Sequence, residues 1–268
     1  MTSGGEGRRS AVIATASTIA VFTLLGVLIT HAPGWPEVRR TFFDWGEFKA
    51  SFPEISRAFL LNVKIFCIAE GFILVFALLL AVIRSLPGPA AQPLRILGIA
   101  YADFFRGVPT ILVIAMLGFG APALQLKGIP LSTTFWGIVA LVLVYTAYVS
   151  EVYRAGIESV HGSQSAAARS LGLTHWQSLR TVVLPQAVRR VIPPLLNDFI
   201  GLQKDTALVG FLGSVEAFKQ SQIDAAATFN YTSYVAAALL FVALTIPLAR
   251  FTDWLVARDR RRRQAAGA

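Results

Sequence analysis

One cysteine and three histidines are all that this 268-residue chain offers toward disulfide or soft-metal chemistry. Cys67 alone closes no disulfide and completes no zinc cluster; set in an apolar run, it reads as an inert packing residue. His31, His161 and His175 stand in loop regions at no spacing that suits a metal, and each reads as a solvated or capping residue. Charge is also scarce. Only 15% of residues are charged against 55% hydrophobic, with a mean hydropathy of +0.61, which argues against a soluble domain and for a membrane protein. No Gly-x4-Gly-Lys-Ser/Thr loop occurs, so the chain is not expected to hydrolyse a nucleotide itself. Nothing groups a nucleophile, a base and an oxyanion donor as an enzyme would need.

What is present is a series of six apolar segments, at 11–30, 58–83, 96–120, 133–150, 193–212 and 232–251. The expected fold is an all-α integral membrane protein of about six transmembrane helices, embedded in lipid, with a polar loop at 155–190 between the fourth and fifth. Arg8 and Arg9 precede the first segment as they would a signal peptide. That segment is nevertheless longer than a signal core and no small-x-small site follows at His31-Ala32-Pro33, so it reads as a retained helix. Arg84-Ser85-Leu86-Pro87-Gly88-Pro89 marks a break, and Pro193-Pro194 suits the first turn of the fifth helix. Trp35, Phe42, Phe43, Trp45, Phe48 and Phe52 make 31–57 an interfacial aromatic stretch. The chain therefore divides into 1–57 (first helix and aromatic segment), 58–256 (the membrane unit with its loop) and a basic tail at 257–268.

The net charge of +9 reads as membrane orientation, not nucleic-acid binding. With the N-terminus in the cytoplasm, the inner segments hold fourteen basic residues: Arg8, Arg9, Arg84, Arg95, Arg154, Arg169, Arg180, Arg189, Arg190, Arg258 and Arg260 to Arg263. The outer segments hold six: Arg39, Arg40, Lys49, Arg57, Lys127 and Lys219. Both termini and the 155–190 loop are thus expected inside.

That loop carries the most informative stretch, 163–185. Ser163, Gln164 and Ser165 lead into Ala166, Ala167, Ala168, Arg169, Ser170 and Leu171, which favour a helix, and Gly172 stands where a helix ends on a left-handed residue. Thr174 with Gln177 three residues on forms a capping box for a second short helix. The spacing Ala-Ala-Ala-x3-Gly-x9-Val-x-Leu-Pro resembles the EAA loop of ABC-transporter permeases. The family's glutamate falls on Ala166, where Glu would close a capping box with Ser163.

The resemblance runs over about 58–256, toward the polar amino-acid uptake permeases. Tyr101-Ala-Asp-Phe-Phe-Arg106-Gly107-Val-Pro109 is similar to their "Y…FRGTP". Ala147-Tyr148 through Glu151, Arg154 and Gly156-Ile157 is similar to "AY…E…RGGI". Leu184-Pro185-Gln186-Ala187 with Pro193-Pro194 and Asn197 resembles "LPQA…PP…N.F", and Lys204-Asp205-Thr206-Ala207-Leu208 resembles "KDTSL". Asn62-Val63-Lys64 departs from the family pattern, and 11–30 lies outside its common five-helix core. The resemblance implies a type I importer fold that translocates a polar or charged amino acid. It implies that residues 163–172 contact a separate ATPase subunit, which binds ATP and Mg, while this chain holds no cofactor. A second permease copy and an extracytoplasmic solute-binding protein are the other implied partners.

The polar residues within helices have an energetic reading of their own. Asn197, Asp198, Gln203, Lys204 and Asp205 crowd the fifth helix, and ionised groups cost about 2.5–3.5 kcal/mol each at the centre of a membrane helix, so they face partners or water. Asn197, Gly201, Lys204 and Leu208 recur on one face. Asn197 and Lys204 could hold a zwitterion; equally, Lys204 could pair with Asp205 and lock the bundle. Thr206 and Arg106 join them as path candidates, with an Arg106–Asp103 pair as the structural reading of Arg106. Glu151 and Arg154 can pair at i, i+3, in a structural or gating role. Lys64 and Glu70 lie off one face and are not expected to pair. Two rival functions stay open at this level: an ion-gradient transporter, against which stands the lack of a repeat, and a membrane scaffold without a path.

Overall fold

The computed structural model describes residues 3–86, 88–159 and 167–266. Helix α1 (Ser3–Thr30) contains an apolar stretch, Val12–Thr30, none of which is buried. Helix α2 (Trp35–Phe42) opens with Pro36 in its first turn, where a missing N–H costs nothing. Asp44 caps α3 (Trp45–Ser85) by accepting from the Glu47 N–H at 3.0 Å.

Helix α3 runs unbroken through position 58, and its outer turns belong to the bundle. Ile55 is fully buried with Ala217, Ala236 and Ala237, and Phe48 and Phe52 pack against that cluster. Trp45, Phe48 and Phe52 stack in series at 5.4 and 5.2 Å. The α2–α3 corner is sewn to the far end of the chain: Tyr231 N–H donates to the Thr41 carbonyl at 2.7 Å, and Asp44 N–H to Thr232 Oγ1 at 3.1 Å. Cys67 is exposed on the outer surface of α3 and is not the packing residue the sequence suggests. The apolar surroundings that read as a core from sequence are an exposed apolar surface of the helix.

The 96–120 segment forms two helices, α4 (Gln92–Gly107) and α5 (Thr110–Ala123), bent by 100°. Pro109 forces the break, because the residue before a proline is driven out of the helical region, and Val108 is extended at φ −93°, ψ 131°. Helix α6 (Thr133–Glu158), capped by Ser132, is the central element. Its Leu141, Val144, Tyr145 and Val149 sit in one buried cluster with Ile65, Ala69 and Ile73 of α3, Val113 and Ile114 of α5, and Leu202. On α3 the buried positions Ala69, Ile73, Ala77 and Ala81 recur every four residues, and the small alanines let α6 approach closely.

After a helical turn at 167–170 (α7), α8 (His175–Ser178) passes through a π-helical turn, Leu179–Val183, into α9 (Leu184–Asp205). The widened turn lies immediately before Pro185, which has no N–H for the i→i−4 ladder. Pro193 and Pro194 stand inside α9 and not at a first turn as expected. Packing of α9 against α6 and α11 outweighs the hydrogen bonds they remove, as intramembrane helices allow. A 3-10 helix, Thr206–Leu212, then leads through Gly213 to α10 (Ala217–Thr228) and α11 (Thr232–Ala266).

Among the described residues four helical stretches are long and apolar enough to cross a bilayer, or five crossings if α4 and α5 count as one. The fifth sequence segment, 193–212, is not among them, since its polar residues lower its hydropathy and it ends in the 3-10 helix.

Candidate functional site

Of the loop residues singled out by sequence, Ser163, Gln164, Ser165 and Ala166 lie outside the described residues. Ala167, Ala168 and Ser170 form the helical turn, and Leu171 and Gly172 end it. Gly172 adopts φ +88°, the left-handed conformation expected. Its N–H donates to the Arg169 carbonyl at 3.0 Å, and the Leu173 N–H to the Ala168 carbonyl at 3.2 Å. That pair of bonds is a Schellman motif. The capping box follows as read: Thr174 N–H donates to Gln177 Oε1 at 2.9 Å, and Gln177 N–H to Thr174 Oγ1 at 3.2 Å. Two adjacent helix ends are thereby fixed, one by backbone and one by side-chain hydrogen bonds, and between them Leu171 stands 85% exposed. Burying a leucine recovers about 1.5–3 kcal/mol, so this is a rigid apolar knob fit for a partner.

Within the bundle the path candidates separate. Asn197 and Lys204 are exposed on α9. Among the described residues Lys204 makes no ion pair, and Asp205 instead accepts from the Tyr145 hydroxyl at 2.9 Å. Gly201 does not share the open face: a Cβ there would lie 3.1 Å from that same hydroxyl, so Gly201 belongs to the α6–α9 contact. Thr206 is fully buried, donating to the Gln203 carbonyl at 2.7 Å and accepting from Asn62 Nδ2 at 3.1 Å.

Sequence reading passed over this last network. Asn62 on α3 also donates to Glu216 Oε2 at 2.9 Å and accepts from the Ala217 N–H at 3.0 Å. Glu216, fully buried, caps α10 through the Phe218 and Lys219 N–H groups. Its carboxyl is raised from the ordinary glutamate value, burial outweighing the donors that pull it down. An asparagine in an apolar run was the available signal, and its spacing to positions 206 and 216 was not. Lys64 and Glu70 form no pair among the described residues, and Glu70 lies within electrostatic reach of Asp198 on α9 and Tyr153 on α6.

A charge cluster gathers where α3, α4 and α6 end. Glu151 and Arg154 pair at 2.8 Å, as the i, i+3 spacing predicts, and Arg154 extends to Glu158 at 2.6 Å. Among the described residues Arg106 makes no ion pair with Asp103 and instead reaches Glu151 at 3.5 Å. Arg84, which the sequence offers only as a basic loop residue, meets Glu151 at 2.6 Å with its side chain 8% exposed.

This architecture has close counterparts. The chain is 34% identical to the probable amino-acid permease protein YxeN of Bacillus subtilis (strain 168), over 76% of this chain and 90% of that protein. It is 36% identical to the probable glutamine ABC transporter permease protein GlnM of the same organism, over 62% of this chain and 76% of that protein. A crystal structure of an amino acid ABC transporter with histidines superposes with a TM-score of 0.73 at 26% identity, covering 80% of this chain and 98% of the other. The exposed helix–Gly–capping-box segment, the bent α4–α5 pair and the central α6 all lie within residues 91–261, which match the binding-protein-dependent transport system inner membrane component, and the chain belongs to that family.

Proposed function

We propose that the chain is the membrane-spanning subunit of an ATP-driven importer for a polar or charged amino acid. Relatives named for amino-acid and glutamine transport support the substrate class. The observation that carries the mechanism is the 167–172 turn. Its apolar tip, Leu171, is presented by a Schellman motif on one side and a capping box on the other, so a force on the tip moves a defined backbone unit. ABC ATPase subunits carrying ATP and Mg take up that segment, together with residues 163–166, from the cytoplasm. A second permease copy, identical or homologous, completes the path, and a solute-binding protein delivers the ligand from outside. Nucleotide binding draws the segment over and switches the path between inward- and outward-facing arrangements. The basic-residue count supports a topology with both termini in the cytoplasm.

For the path itself, Asn197 and Lys204 are the residues of α9 whose exposure suits ligand contact, the ammonium offering a partner for a carboxylate. Arg106, 44% exposed in its side chain, stands at the inner end. Gly201, Thr206 and Asp205 shape the helix that presents them. The test is ATP hydrolysis by the reconstituted complex with its binding protein, screened over individual amino acids. Stimulation by one polar or charged amino acid, absent with apolar ones, is the expected result. Hydrolysis indifferent to every amino acid would overturn the substrate assignment.

A further inference from the structure

We infer that Arg84, at the inner end of α3, is a positioning residue through which movement of the 167–172 segment reaches the helix bundle. The inference rests on the reading of that segment as the ATPase contact.

Glu151 joins three helices on one carboxylate. Arg84 reaches Oε1 from α3 at 2.6 Å, Arg106 reaches the same oxygen from the end of α4 at 3.5 Å, and Arg154 reaches Oε2 from within α6 at 2.8 Å. Arg84 is the buried cation, 8% exposed against 44% for Arg106 and 33% for Arg154. Exposed ion pairs contribute little, whereas a buried pair is screened less. The Arg84–Glu151 contact therefore adds a buried polar tie to the apolar packing of α3 on α6. Helix α4 crosses directly over it, since a Cβ on Gly98 would lie 2.9 Å from Arg84 Cγ.

The contacts continue toward the coupling segment. Arg154 also holds Glu158, and the adjacent Ser159 carbonyl accepts from Arg190 of α9. The chain leads from 167–172 back to Ser159, beside which the ion pairs Glu158–Arg154, Arg154–Glu151 and Glu151–Arg84 run in series into the bundle. Beside this chain, a cavity of about 360 Å³ lined by Glu151, Gly156, Ser159, Arg190 and Pro194 leaves room for α6 to shift against α9.

The junction is also not fully satisfied. Arg84 commits Nη2 to Glu151, while its Nε and Nη1 are buried with no acceptor among the described residues. Buried donors without acceptors raise the energy of the state that holds them, which brings a second arrangement of α3 and α6 closer in energy.

The test compares the wild-type complex with Arg84→Met, Arg84→Gln and Arg84→Lys. The readout is the ratio of ATP hydrolysis with and without a mixture of the polar amino acids, in the presence of the binding protein. Arg84→Met and Arg84→Gln should lower the ratio about tenfold, within the range of allosteric coupling constants, with the ATPase still attached. Arg84→Lys should keep most of it, because a single ammonium can replace the one committed Nη2. A steric role would instead leave Lys no better than Met. If Arg84→Met fails to assemble, the Lys–Gln contrast decides: coupled Lys with uncoupled Gln supports the inference, and equal ratios overturn it. A wild-type ratio in Arg84→Met overturns it outright. A cysteine at Ser170 that never crosslinks to the ATPase would instead overturn the underlying reading, and the inference with it.

Discussion

Replacing Gly172 tests the coupling segment with almost no confounding contact. Among the described residues a Cβ built at Gly172 meets nothing within 4 Å, so a substitution there clashes with none of them. What it disturbs is the backbone: φ is +88°, and an L-residue in the left-handed region costs roughly 1–2 kcal/mol. Valine, branched at Cβ, suits that region worst, alanine less badly, and asparagine tolerates it. The two Schellman bonds from Gly172 and Leu173 depend on the same geometry. A cost of 1–2 kcal/mol corresponds to a roughly 5–30-fold loss of the correctly turned segment. Gly172→Val should therefore insert into the membrane normally and keep the melting temperature of the isolated chain. Its ligand-stimulated ATP hydrolysis in the complex should fall by about that factor, with Gly172→Ala intermediate and Gly172→Asn near wild type. Equal coupling in all three variants would refute the argument that the left-handed turn positions the contact.

Other expectations follow from neighbouring observations. Asn62→Leu removes three hydrogen bonds and leaves Glu216 and Thr206 short of partners, so it should cost roughly 2–4 kcal/mol and lower thermal stability in detergent; an unchanged melting temperature would count against the network. Lys204→Met, at an exposed position, should abolish transport while leaving assembly and melting temperature intact, and normal transport would remove Lys204 from the path. Ala166→Glu, which restores the family residue and completes a capping box with Ser163, should be tolerated, as judged by coupled transport. In a Cys67→Ser background, impermeant thiol reagents should reach cysteines at Lys49 and Lys219 from outside and miss one at Ser170; external labelling at Ser170 would reverse the topology.

What the sequence revealed was local. Gly172, the Thr174–Gln177 box and the Glu151–Arg154 pair each depend on residues within a turn of one another, where spacing alone sets geometry. The misreadings involve neighbours that spacing does not supply. Pro193 and Pro194 resemble a helix start until the packing that carries α9 through them is seen. Cys67 in an apolar run reads as core, but in a membrane protein apolar surroundings also describe the outer surface. Gly201 falls on the open face by helical periodicity and Thr206 joins it as a path candidate, yet the partners that bury them, Tyr145 and Asn62, stand on α6 and α3. Arg84 was visible only as one positive charge among many, because its acceptor lies on a helix distant in sequence.

The central claim is that the turn ended by Gly172 is where the ATPase takes hold. Cysteines introduced singly at Ser170 and Leu171, with the ATPase co-expressed and carrying cysteines around its own surface groove, test it most directly. The account predicts crosslinks from both positions that change in yield when ATP is added. No crosslink from either position, together with crosslinks from the loop at 84–95, would contradict it.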